Sequence, residues 1–193
     1  AAFLLGLSIA ALANAQDRNL LNSERIEQRF GSYGIEVLAS DESLRVSDLY
    51  SGEGEHRCTR TFAVVAYAEL VDAAFAVEHA AILHGGSIGA IFASAGWDVL
   101  KHNLYYGTLE STRKLERMMG IRGDGGATLA VHVYVLEVRK ATRSFEYALI
   151  AEVHHPDYLD VGDLERIYGA VPALTSRQMS SLARMLELVQ TQT

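Results

Sequence analysis

The chain has 193 residues, enough for one domain with a substantial core and short for two. A formal charge of −7 provides no basic field for phosphate backbones, so nucleic acid is not an expected partner. With 49% hydrophobic and 21% charged residues, two prolines and no repeat period, neither a disordered chain nor a repeat architecture is expected.

The first fifteen residues, AAFLLGLSIAALANA, carry no charge and end in Ala13-Asn14-Ala15, the small-x-small pattern that a signal peptidase accepts. The apolar run is shorter than the ~20 residues that cross a bilayer core, and Gln16 offers no thiol for lipidation. The expectation is a signal peptide over 1–15, a single domain over 16–193, and a periplasmic or secreted protein with no stable membrane span. The lone Cys58 leaves no internal disulfide, so the core must hold the fold, and a buried, inert thiol is expected.

Residues 23–31 predict a short helix, with Ser23 as its cap, Glu24 at its positive end and Gly31 closing it. Residues 35–38 and 44–50 flank the polar turn Ser40-Asp41-Glu42-Ser43 and read as a hairpin. Residues 58–67, rich in β-branched and aromatic side chains, predict a third strand. Asp72 opens a helix with Val71, Phe75, Glu78 and Ile82 along one stripe and Ala74, Val77 and Ala81 beside it. Gly85 and Gly86 stop that helix, and Ser87 can cap a shorter one through Ile88, Ile91 and Phe92 to Gly96.

Residues 97–106 predict a strand, 110–119 a polar helix and 123–126 a glycine-rich loop. The longest strands are expected at 129–139 and 144–154, joined by a tight connection. An even-sum register sets Val131, Val133 and Val135 against Val153, Ala151 and Leu149, and one such register puts His132 opposite Glu152; an odd sum would oppose Val131 to Glu152. Apolar residues on both faces place these strands in the sheet interior. A capping box at Thr175 and Gln178 starts a final amphipathic helix bearing Met179, Leu182, Leu186 and Val189. The expected class is α+β: a mainly antiparallel sheet of five to six strands, a central helix pair and a C-terminal helix packed on the sheet.

Gly85-Gly86-Ser87-Ile88-Gly89 matches G-x-S-x-G, the turn that exposes a serine nucleophile. A helix precedes it where that motif needs a strand, so a serine hydrolase using Ser87, with His84, His132 or His154 as base, is the alternative reading. A milder function uses the same corner as an anion site at Gly85, Gly86, Ser87 and Ile88, with His84 or Lys101 nearby. The plainest reading is a capped helix corner with Gly89 present for close packing, and the sequence leans that way.

His132 and His154 can share a sheet face with Glu146 and Glu152, which makes His132, His154 and Glu152 weak metal candidates, although a buried His–Glu pair is more often structural. His154 and His155 point to opposite sides of an extended chain. His79 and His84, five apart, do not share a helix face as a zincin pair would. The run from Lys101 to Tyr106 can line a groove or simply alternate along a half-exposed strand. No Walker loop, EF-hand, dinucleotide fingerprint or haem-attachment motif is present, and no cofactor is expected. The leading expectation is an exported domain that binds a small molecule or a protein beside the Gly85-Gly86-Ser87 corner.

Overall fold

The computed structural model of the chain describes residues 20–69 and 72–193. The expected signal peptide and Val71 of the predicted helical stripe lie outside them.

Helix α1 spans Asn22–Phe30. Its first turn is capped by Glu24, whose carboxylate accepts the Leu21 N–H at 2.7 Å, while Ser23 lies inside the helix and is not its cap. Strands β1 (Gly34–Ser40) and β2 (Leu44–Ser51) form the expected hairpin. Asp41 Oδ1 holds its turn by accepting from the Ser43 and Leu44 amides. Strand β3 (Cys58–Tyr67) follows, again as expected.

Asp72 caps a 3-10 turn, Ala73–Phe75, that leads into α2 (Ala76–Leu83). Phe75 and Ile82 of the predicted stripe are buried, but Val77 is 81% exposed because the sheet contact is narrower than the run of apolar residues suggests. Helix α3 (Ile88–Ser94) comes next. Trp97 is buried just ahead of β4 (Asp98–Glu110), which outruns its predicted end and absorbs Glu110. The predicted polar helix therefore shortens to α4 (Arg113–Met119), capped by Thr112.

Strands β5 (Thr128–Lys140) and β6 (Arg143–His154) pair in the even register as far as Leu136, with Val131 opposite Val153, Val133 opposite Ala151 and His132 opposite Glu152; a bulge between Leu136 and Glu137 shifts the remaining pairs toward the turn by one residue. Helix α5 (Val161–Tyr168) is not among the expected elements. It starts at a capping box of Asp160 and Asp163 and buries Leu164 and Ile167. Helix α6 (Ser176–Gln192) closes the chain at the Thr175–Gln178 capping box, burying Met185 and Val189 and leaving Met179 exposed.

The six strands make one antiparallel sheet in the order β1-β2-β3-β6-β5-β4, so the class is α+β. One face carries Val46, Phe62, Val64, Val131, Val133, Ala151 and Val153 beneath α4 and α6. On the other face, α2 and α3 cover one patch through Phe75, Ile82 and Phe92. Helices α1 and α5 cover a second patch through Ile26, Leu164 and Ile167. Strands β3, β6 and β5 are thus buried on both sides, and a seam is left on one face between the two helix pairs. No described helix is long and apolar enough to cross a membrane.

Candidate functional site

The seam holds a crevice. Its floor is sheet: Arg45 and Ser47 of β2, Ala63 and Val65 of β3, Ile150 and Glu152 of β6, and Tyr134 and Leu136 of β5. Its mouth is framed by half-buried Leu21, Tyr33, Ser87, Ile88, Val99 and Lys101. The cavity measures about 80 Å³. A water takes up roughly 30 Å³ and a benzene-binding cavity is about 150 Å³, so a few heavy atoms fit inside and a longer molecule would project through the mouth.

Period-2 alternation aims Glu152 and His154 at the same face, opposite His132 and Ala130 across the β5–β6 ladder. Glu152 is almost fully buried, and both its oxygens are occupied. Oε1 accepts from Asn22 Nδ2 and from the Tyr134 hydroxyl, each at 3.2 Å, and Oε2 lies 3.4 Å from Lys101 Nζ. Burial opposes the negative charge, but Lys101 above all, with His154, His132 and the Tyr134 hydroxyl, outweighs it and pulls the carboxyl down to about 2. Burial likewise opposes the ammonium of Lys101, and the Glu152 carboxylate holds its pKa well above the ordinary value. Lys101 therefore stays charged while pressed 4.3 Å above the Tyr134 ring. An ammonium has three donors, and this one is engaged by the Glu152 carboxylate at 3.4 Å and by the Tyr134 hydroxyl.

Arg45 is the second cation of the crevice, 1% exposed. Its Nε donates to Ser47 Oγ at 2.8 Å, and its Nη1 donates to the Ile82 and Gly86 carbonyls at 2.9 and 2.7 Å. The guanidinium thus caps the negative C-terminal end of α2 and ties the glycine corner to the sheet. The Tyr67 hydroxyl lies beside it. No carboxylate among the described residues forms an ion pair with Arg45, so its counter-charges are carbonyl dipoles alone. Among the described residues the crevice is consequently lined by two cations and one carboxylate.

The predicted corner divides in two. Gly85 and Gly86 lie outside the crevice lining. Their amides are taken by the Ile82 and Ala81 carbonyls, and a Cβ at Gly86 would meet Ile91 Cδ1 at 2.2 Å. Gly85, at φ +102°, makes the bend. Ser87, Ile88 and Lys101 do line the crevice. Ser87 occupies the N-cap position of α3, but its hydroxyl makes no capping bond and lies beside the half-buried Tyr33 hydroxyl. Gly89 faces the Leu21 side chain at close quarters.

Each proposed histidine base is engaged elsewhere. His84 Nδ1 turns onto the Ala80 carbonyl at 2.7 Å, His132 Nε2 onto Asn103 Oδ1 at 2.9 Å, and His154 Nδ1 onto Thr61 Oγ1 at 3.1 Å. Burial lowers His132 well below the ordinary histidine value and His154 to about 4, with Lys101 adding to both shifts. His132 Nδ1 and His154 Nε2 have no hydrogen-bond partner among the described residues. Glu146 is exposed and stands apart from this cluster. Among the described residues no three His, Cys, Asp or Glu side chains are grouped to hold a metal ion, the trio His132, His154 and Glu152 included.

No family model, curated protein or solved structure matches this chain. Site chemistry therefore has to be read from the geometry alone. Among the crevice residues that the sequence did not mark as a site are Asn22, Tyr33, Arg45 and Tyr134. The available signal was Arg45, a charge on the same strand parity as Ser47 and Leu49, pointing at a covered face. Cys58 is half-buried; burial pushes its thiol up, and its Sγ points at the Thr59 and Met119 carbonyls, which suits the expected inert state.

Proposed function

We propose that this chain is an exported domain that binds a small molecule in the crevice between the α1–α5 and α2–α3 helix pairs. One observation carries this reading: a half-open cavity of about 80 Å³ whose lining, apolar over much of its floor, holds a buried cation, a half-buried cation and a single, already satisfied carboxylate. Packed interiors seldom leave such space, and charges are seldom buried without a task. A concave apolar site with a few convergent polar groups is the usual form of a ligand pocket. The uncharged 1–15 segment with its Ala13-Asn14-Ala15 end supports export.

A thermal-shift screen of small metabolites tests the assignment on the wild type and on two variants that occlude the crevice, Ala63→Leu from the floor and Val99→Phe at the mouth. Hits on the wild type that vanish in both folded variants support it. Hits that persist in both place binding elsewhere and remove the crevice from consideration.

A further inference from the structure

The charges of the crevice specify more than a cavity. We infer that it takes a short aliphatic monocarboxylate, with the carboxylate beside Lys101 and Arg45 and the alkyl tail against Val65, Ile88, Leu136 and Ile150. This rests on the crevice being the binding site.

Three features select that chemistry. Arg45 and Lys101 against Glu152 leave the lining with an excess of one positive charge, which one monoanion balances. Glu152 does not invite a ligand cation, because Asn22, Tyr134 and Lys101 already occupy its oxygens. Lys101, by contrast, keeps one of its three donors beyond Glu152 and the Tyr134 hydroxyl and sits at the mouth, with 16% of its side chain exposed against 6% for Glu152.

The walls complete the selection. Val65, Leu136 and Ile150 make the floor apolar beside the charged end, and Ile88 and Val99 continue that surface to the opening. A dianion such as phosphate would exceed the available positive charge and set its remaining oxygens against hydrocarbon, which is costly without hydrogen bonds. A neutral amide of the same length would fill the same space and leave the excess charge unbalanced. Volume limits the enclosed part to about the size of acetate or propionate, with any longer tail leaving through the mouth.

The test is isothermal titration of the intact chain, in a buffer free of carboxylates and phosphate at low salt, with butyrate, butyramide and inorganic phosphate. Butyrate is expected to bind at least about tenfold more tightly than butyramide, and phosphate more weakly than butyrate. Glu152→Gln raises the positive excess and is expected to tighten butyrate several-fold while leaving butyramide unchanged; Lys101→Met is expected to erase the preference between them. Equal affinity for butyrate and butyramide in the wild type overturns the anion inference and leaves the crevice standing. Phosphate binding more tightly than butyrate overturns the assignment of the tail. Absence of binding by all three compounds overturns this inference, while the metabolite screen decides separately on the crevice. The wild-type comparison stands even if either variant fails to fold.

Discussion

Lys101 and Glu152 meet across an intervening strand: one belongs to β4, the other to β6, and their Nζ–Oε2 contact of 3.4 Å passes over the Tyr134 ring of β5. A pair that spans β5 in this way ties three strands together beneath the gap between the helix pairs. It also keeps charge in a place where an apolar side chain would otherwise close the cavity.

The two halves of this pair are not equally exposed, so their removal should not cost the same. Lys101→Met leaves a deeply buried carboxylate without its cation and is expected to destabilise by about 3–5 kcal/mol. Glu152→Gln leaves an ammonium that can turn toward the mouth and is expected to cost less. The double variant should recover part of the Lys101→Met loss, giving a coupling of about 1–3 kcal/mol in urea melts of the four proteins. Additive losses would show that the contact contributes nothing.

Acid should weaken the fold well above the range in which the buried Glu152 is protonated. His154 is buried and neutral, its pKa lowered from 6.5 to about 4 by burial first, with Lys101 and Arg25 assisting and Glu152 opposing. Between these values the unfolded chain binds a proton that the folded chain does not, so stability falls as pH drops from about 6.5 to about 4. Each tenfold difference in proton affinity between the two states is worth roughly 1.4 kcal/mol, which puts the loss on the order of 3 kcal/mol. Glu152, lowered to about 2, adds its own loss only below about 4.5. Melting temperatures from pH 7.5 to 4.5 should fall for the wild type and fall less for His154→Gln. Parallel curves would assign the loss to other groups.

The two ends of the glycine corner should respond differently to an added methyl group. Gly85→Ala forces a side chain into φ +102° and is expected to destabilise by about 1–3 kcal/mol. Butyrate affinity should not change, because Gly85 does not line the crevice. Gly89→Ala brings a Cβ to 2.8 Å from Leu21 Cδ2, the movable end of a side chain at the mouth. Helix propensity offsets part of that cost, so stability should move by less than about 1 kcal/mol. The association and dissociation rates of butyrate should move instead, as read by stopped-flow mixing.

Local rules made much of this architecture legible. Capping residues, glycine stops and hydrophobic period placed β1 to β3, the helix pair and the last helix, and the requirement that apolar side chains face each other selected the even parity of the β5–β6 pairing; the register formed is the even one that sets His132 opposite Glu152. The misses near helix ends were local competitions. At α1 the Glu24 carboxylate reached the Leu21 amide and displaced Ser23 as cap, and at α4 the ladder of β4 continued through Glu110 before Thr112 could start a helix. Helix α5 had a readable Asp160–Asp163 box and an apolar Leu164–Ile167 pair that the sequence reading passed over.

The crevice lay beyond such rules. Lys101, Ser87, Ile88 and Glu152 could be singled out, but residues 22, 33, 45 and 134 are scattered along the chain, and no spacing rule links them to one another or to Glu152. They converge only because β6 returns to lie between β3 and β5 and because two helix pairs leave a seam on one face. Sequence alone determined most of the elements and the two hairpins, β1–β2 and β5–β6, since these follow from interactions over a few residues and from side-chain alternation. Only the tertiary structure decided which buried charges meet and where the core stays unfilled, because electrostatic and packing energies depend on distances between chain segments far apart in sequence.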